Sequence, residues 1–149
     1  MKFEYRELRL KQLATALSTF IDAKQTPRPR GGWLRAVRQA LGVSQLTVAA
    51  AMRVKQQSIM SFEKSEAEDR ITLQNLRRVA EAMGCELVYA IVPKSGSIKE
   101  LAESRARVEA TKRVLSVRRT MALEDQESGD MKELIDEETK RISTKPRAN

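Results

Sequence analysis

Residues 41–65, LGVSQLTVAAAMRVKQQSIMSFEKS, constrain the fold more than any other part of the chain. Apolar residues recur here at helical spacing, and Ala49 is small where two crossing helices would approach most closely. Ser44 is a residue type that caps the N-terminus of a helix. The pattern predicts two short helices joined by a tight turn. Their expected inward side chains are Val48, Met52, Val54, Ile59 and Phe62.

The second of these helices carries outward side chains that a helical core does not require. They are Lys55, Gln56, Gln57, Met60, Ser61 and Lys64. A solvated helix face commonly alternates glutamate and lysine, whereas this face offers amides. A glutamine amide can form two hydrogen bonds with adenine in the major groove. An ordinary helical hairpin explains the apolar positions equally well, but the amides favour DNA as the ligand.

Gln45 opens the first helix and Gln56-Gln57-Ser58-Ile59 opens the second, an arrangement that resembles the Xre/Cro helix-turn-helix family. The alignment runs without a gap through residues 41–65. The resemblance implies a lambda-repressor-like domain of five helices over residues 33–84. It also implies that Gln45 and Lys64 contact the DNA backbone, while Gln56, Gln57 and Ser61 face bases.

Two positions depart from the family. The turn residue, usually glycine, is Arg53, and the residue after the second helix, often glycine, is Ser65. If Arg53 is left-handed, its side chain costs about 1–2 kcal/mol. The turn could be adjusted, or a phosphate contact from Arg53 could offset part of that cost. The expected DNA-binding residues are Gln45, Arg53, Lys55, Gln56, Gln57, Ser58, Ser61 and Lys64.

Composition supports a polyanionic partner and argues against an enzyme. The 149 residues carry a net charge of +8, and residues 31–64 contain five basic groups but a single acid, Glu63. There is no histidine, and Cys85 is the only cysteine, so we expect no catalytic residues, metal or cofactor. No apolar run approaches a membrane span. The expected location is the cytoplasm, in association with the nucleoid.

The chain is expected to be mostly α-helical and to divide into five segments. Helices are predicted from Trp33 to Ala40, from Ser44 to Met52 and from Lys55 to Lys64, followed by one capped by Thr72 and ended by Gly84. The predicted segments are an N-terminal helix (1–23), a basic Pro/Gly linker (24–32), the helix-turn-helix domain (33–84), a dimerising strand (85–93) and a C-terminal helical extension (94–149). The linker is either a solvated connection or an arm for the minor groove.

Residues 85–92, CELVYAIV, are rich in strand formers, and Pro93 stops them. A single strand leaves backbone groups unpaired, which is costly if they are buried. We therefore expect antiparallel pairing with the same strand of a second subunit, with an extended piece of the linker as the alternative. Such a homodimer would bind a palindromic operator with half-sites about one helical turn apart.

A wider resemblance covers almost the whole chain. The succession of PRGGW, ITLQNLRRVAEAMGCELVYAIVP and TMALEDQ is similar to the bacterial family called mobile mystery protein A. The resemblance implies a small regulator from a mobile two-gene module, encoded beside a Fic-domain protein. Thr120 and Glu124 have the (S/T)xxxE spacing of antitoxins that inhibit Fic enzymes, although Asp125 departs from that motif. An ordinary helix end has the same spacing.

These observations together predict a sequence-specific DNA-binding regulator that represses its own promoter. The alternative is an antitoxin or adaptor that inhibits a Fic-domain partner through the C-terminal helices. The basic helix predicted from Lys94 to Arg119 either adds contacts to the DNA backbone or forms a solvated face. Salt separates the two functions, because DNA binding weakens steeply as salt rises, and an adaptor would bind no nucleic acid at low salt.

Overall fold

The computed structural model describes residues 2–122 and 130–144, and these are mostly helical. The helices within them are α1 (Lys2–Ile21), α2 (Trp33–Ala40), α3 (Gln45–Met52), α4 (Gln56–Ala67), α5 (Leu73–Ala82), α6 (Ile98–Ala122) and α7 (Met131–Thr144). A 3-10 turn, Asp22–Gln25, follows α1. None of these helices combines the length and the hydropathy needed to cross a membrane. The chain divides into two compact units, one of residues 24–89 and one of residues 1–23 with 90–149.

The unit of residues 24–89 encloses a small apolar core between α2, α3, α4 and α5. Its buried members are Leu34, Val48, Ala49, Ile59 and Val79. Ala49 is 1% exposed and lies on α3, which packs against both α4 and α5. Because the side chain of Ala49 ends at Cβ, the helices can approach closely at this point. Of the predicted inward residues, Val48, Ala49 and Ile59 are buried in this core, and Met52, Val54 and Phe62 are partly buried against it.

Helices of this unit begin and end at residues that the sequence predicts. The hydroxyl of Ser44 accepts a hydrogen bond from the backbone N–H of Thr47, with N and Oγ 3.0 Å apart. The hydroxyl of Thr72 does the same for Asn75 at 3.2 Å. Gly84 has φ +74 just beyond α5, where the backbone N–H of Cys85 returns to the carbonyl of Ala80. These three predicted helix ends are confirmed.

In the other unit, α6 and α7 form a helical hairpin. Ala106 and Ala110 of α6 are buried with Ile142 of α7. The small side chains of the two alanines allow the helices to lie close together. Ion pairs bridge the two helices, with Arg107 3.1 Å from Asp136 and Arg113 3.3 Å from Glu138. α1 packs against α6.

Two predictions about the fold are wrong. Residues 85–93 have no regular secondary structure, and no strand occurs among the described residues. The side chains of Val88, Tyr89 and Ile91 are 65%, 61% and 86% exposed. The preference of such residues for strands arises largely from packing against a neighbouring strand, and the described part of the chain contains no such strand. The strand-paired dimer therefore loses its basis, and residues 33–84 contain four helices rather than five.

Candidate nucleic-acid interface

One face of α4 is continuous, exposed and mostly polar. Residues spaced three and four apart lie on the same side of a helix, and here they are Gln56, Gln57, Met60, Ser61 and Lys64, all exposed. Ile59, on the opposite side, is fully buried and fixes the rotation of the helix against the core. The structure thus brings together five of the six side chains that the sequence placed on the outward face. The sixth, Lys55, is exposed at the N-cap position.

Ser58 lies away from this face. Its side chain is half-buried, and its backbone N–H donates to the carbonyl of Lys55 over 2.9 Å, which closes the first turn of α4. Of the residues within α4 that were predicted to contact DNA, Ser58 is therefore the one that the exposed face of the helix does not include.

Arg53 forms the turn between α3 and α4 in a left-handed conformation, with φ 56 and ψ 42. Its backbone N–H donates to the carbonyl of Ala50, and that of Val54 donates to the carbonyl of Ala49 over 3.0 Å, so two carbonyls in the last turn of α3 are satisfied. The turn therefore keeps the geometry that usually selects glycine. The Arg53 side chain is exposed beside the N-terminus of α4.

A buried carboxylate connects Gln45 to the rest of the domain. Glu63 of α4 accepts a hydrogen bond from Nε2 of Gln45 at 3.0 Å. The same carboxylate accepts from Nε and Nη2 of Arg38, and Nη1 of Arg38 donates to the carbonyl of Val43 at 3.1 Å. The hydrogen bond to Glu63 raises the pKa of the Arg38 guanidinium, against the lowering effect of burial. α2, α3 and α4 are thus joined through one acid.

Glu63 and Arg38 were not predicted as parts of the interface, although the sequence contains a signal for them. The inward face of α4 follows the spacing Ile59, Phe62, Glu63 and Glu66, so two acids occupy positions that should be buried. Both acids are buried, with exposed fractions of 6% and 4%. A buried charge requires a partner, and the spacing alone does not identify which residue supplies it.

Residues 34–89 match the family model described as Helix-turn-helix. This segment is a helix-turn-helix domain of the Xre/Cro type. The family is a DNA-binding regulatory one, so this match supports a DNA-binding transcriptional regulator. Comparison with curated proteins and with solved structures gives no significant match. The wider resemblance to mobile mystery protein A is not confirmed by these comparisons.

A second buried acid holds the first helix of the helix-turn-helix domain. The carboxylate of Glu66 accepts from the backbone N–H groups of Trp33 and Leu34, over 2.7 and 2.8 Å. Those groups have no partner within α2, so Glu66 caps the helix from a distance of more than thirty residues along the chain. Gly32 has φ +83 here, and a Cβ on it would lie 2.6 Å from Oε2 of Glu66. Glycine is therefore required for the approach of Glu66.

The basic linker is attached to the helix-turn-helix domain through Arg28. Its guanidinium donates to the backbone carbonyls of Glu66 and Ala67, at 3.2 and 3.3 Å, and pairs with the carboxylate of Asp69. These carbonyls belong to the last turn of α4, which attracts positive charge. At Arg28 the linker is thus docked on α4 and is not solvated along its whole length.

The C-terminal residues singled out for a Fic-domain partner lie outside the helix-turn-helix domain. Thr120 is exposed on α6, where its hydroxyl donates to the carbonyl of Ser116 at 3.2 Å. Glu124 lies outside the described residues. Within the basic helix, Arg107 and Arg113 pair with acids of α7, so these two charges stabilise the hairpin.

Proposed function

We propose that the chain is a sequence-specific regulator in which the exposed face of α4 reads DNA bases. The observation that carries this proposal is the composition of that face. Gln56, Gln57 and Ser61 lie together with Lys64, and no acid interrupts them. Amide and hydroxyl groups hydrogen-bond base edges in the major groove, and each bidentate pair contributes about 1–3 kcal/mol of discrimination.

The residues around this face suit contacts with the phosphate backbone. Gln45 uses its side-chain amide to reach Glu63, and an amide nitrogen has a second N–H, which would be available to a phosphate. Arg53 and Lys55 are exposed at the turn before α4, and Lys64 is exposed near its end. Backbone contacts on both sides of a reading face set its register along the groove.

The DNA upstream of the regulator's own gene is the operator that we propose. The sequence resemblance to a small regulator of a mobile two-gene module favours this choice of operator. Repression follows if the protein occupies that promoter. Homodimerisation and a palindromic operator are part of the same proposal, and the symmetry of the protected DNA tests them.

A protection footprint on the upstream region tests this function. We expect the unaltered protein to protect one discrete stretch, and the Gln56→Ala/Gln57→Ala variant to lose it while keeping salt-sensitive, nonspecific binding. Gln74→Ala is the matched control, because Gln74 is an exposed amide on α5. A discrete footprint that survives the double change would show that α4 does not read the sequence. Absence of any DNA binding at about 50 mM salt would overturn the function itself.

A further inference from the structure

A shallow hollow lies beside the exposed face of α4, between this helix, α2 and the segment that precedes α2. It lies wholly within the unit of residues 24–89. Ser61 and Gln45 line it, so the hollow continues the surface proposed to contact DNA. Arg30 and Arg35 also line it, and neither was among the predicted DNA-binding residues.

The hollow has an excess of positive charge. Glu63 is the only acid that lines it, and Arg38 neutralises this acid. Arg30, Arg35 and Lys64 also line it, and all three side chains are exposed. None of these three has an ion pair or a side-chain hydrogen bond with the described residues. Three cations therefore face a hollow whose single carboxylate is already paired, which is an arrangement suited to an anion.

The chain positions two of these cations through contacts on either side of Arg30. Arg28 is docked on the last turn of α4. Beyond Arg30, the backbone N–H of Gly32 donates to the carbonyl of Pro29 at 3.0 Å, and α2 begins under the cap of Glu66. Arg35 folds over Gly31, where a Cβ would lie 3.1 Å from its Cδ. Segments held in this way lose less conformational entropy when they bind.

We propose that Arg30 and Arg35, together with Lys64, form a binding site for phosphates of the DNA backbone beside the reading helix. This inference rests on the proposed function and extends its interface to α2 and the segment before it. Arginine forks match phosphate oxygens geometrically. The continuity of the hollow with Ser61 and Gln45 favours DNA over an acidic protein segment, because a duplex bound along α4 carries a phosphate backbone on each side of the groove.

The salt dependence of binding to a short random-sequence duplex, followed by fluorescence anisotropy, tests the site. The slope of log K against log salt is negative, and each lost phosphate contact lowers its magnitude by about 0.9. We therefore expect Arg30→Ala/Arg35→Ala to reduce the slope by about 1.8 and to weaken binding to all sequences alike. Arg77→Ala/Arg78→Ala is the matched control, since both arginines are exposed on α5 and neither lines the hollow. This control should leave the slope close to that of the unaltered protein.

Thermal unfolding of each variant shows whether the domain still folds, and Arg30→Lys/Arg35→Lys retains the charges. The lysine variant should keep the slope of the unaltered protein. A slope unchanged in Arg30→Ala/Arg35→Ala, while the unaltered protein still binds its operator with sequence preference, would overturn the phosphate site alone. Binding of an acidic peptide in preference to the duplex would assign the hollow to protein and overturn it as well. If the unaltered protein binds no DNA, both the site and the proposed function fail.

Discussion

The buried carboxylate of Glu63 accepts a hydrogen bond from the side-chain amide of Gln45, with Oε2 and Nε2 separated by 3.0 Å. Glu63 belongs to the helix proposed to read bases, and Gln45 belongs to the helix proposed to contact the backbone. The same acid also holds Arg38 of α2. A single side chain therefore aligns the two helices proposed to contact DNA with each other and with α2.

Replacing Glu63 with glutamine should destabilise the helix-turn-helix domain strongly. The side chain keeps its size, but the Arg38 guanidinium, only 12% exposed, then lacks its counter-charge. Removal of one partner from a buried ion pair costs about 3–5 kcal/mol. We expect the free energy of unfolding, measured by urea denaturation, to fall by about 3 kcal/mol or more.

Glu68→Gln is the control for this change, because Glu68 forms an exposed ion pair with Arg70. Exposed pairs contribute about 0–1 kcal/mol, so the control should unfold at nearly the same urea concentration as the unaltered protein. Equal losses for the two variants would show that burial of Glu63 does not set its contribution to stability.

Gly32→Ala should destabilise the domain far more than the same change at its neighbour, Gly31. The Cβ added at position 32 would meet Oε2 of Glu66 at 2.6 Å, and that carboxylate is held by two backbone N–H groups. A positive φ adds strain at this position. We expect a loss of about 2 kcal/mol or more.

At Gly31 a Cβ meets only the flexible side chain of Arg35, at 3.1 Å. Gly31→Ala should therefore change the free energy of unfolding by about 0.5 kcal/mol or less, the usual range for surface substitutions without such features. Thermal unfolding of the two single variants compares them directly. If Gly31→Ala proves the more damaging, the cap from Glu66 does not require glycine at position 32.

The parts of the fold that depend on short-range signals are predictable from the sequence. Ser44 and Thr72 cap the first turns of helices, and Gly84 follows the last turn of one. The hydrogen bonds at these helix ends join residues only a few positions apart. The amide-bearing face of α4 follows from helical spacing alone. These features need no knowledge of what packs against them, so the sequence pattern is sufficient to place them.

Features that depend on distant partners were missed. Arg38 and Glu63 are 25 positions apart, and Arg28 reaches a carbonyl 38 positions away. The local sequence does not indicate that these residues are in contact. The strand prediction failed for a related reason, since strand formers at 85–92 require a neighbouring strand to express their propensity. Tertiary context decided each of these cases.

The left-handed turn predicts a stability difference between two substitutions of Arg53. With φ 56, Arg53 has a steric cost that glycine avoids. Arg53→Gly should therefore be about 1 kcal/mol more stable than Arg53→Ala, which keeps a Cβ at the same position. Urea denaturation of both variants measures the difference.

DNA binding by the same two variants separates strain from contact at this position. Both variants lack the guanidinium. If Arg53 contacts a phosphate, the two proteins should lose the same affinity, and the slope of log K against log salt should become less steep in both by the amount expected for one contact. If affinity falls in Arg53→Ala but not in Arg53→Gly, the turn geometry and not the side chain governs binding.

Removal of the Arg28 guanidinium should open the segment before α2 to proteolysis. Arg28 makes two hydrogen bonds to carbonyls of α4 and an ion pair with Asp69. Loss of about 1 kcal/mol from these contacts would increase the open population of the segment about fivefold. Trypsin should then cut after Arg30 about five times faster in Arg28→Ala, as measured by mass spectrometry of timed samples. Arg77→Ala, an exposed change on α5, should leave that rate unaltered. Equal cleavage rates in the two variants would mean that Arg28 does not hold the segment in place, and Arg30 would then reach the hollow only from a flexible chain.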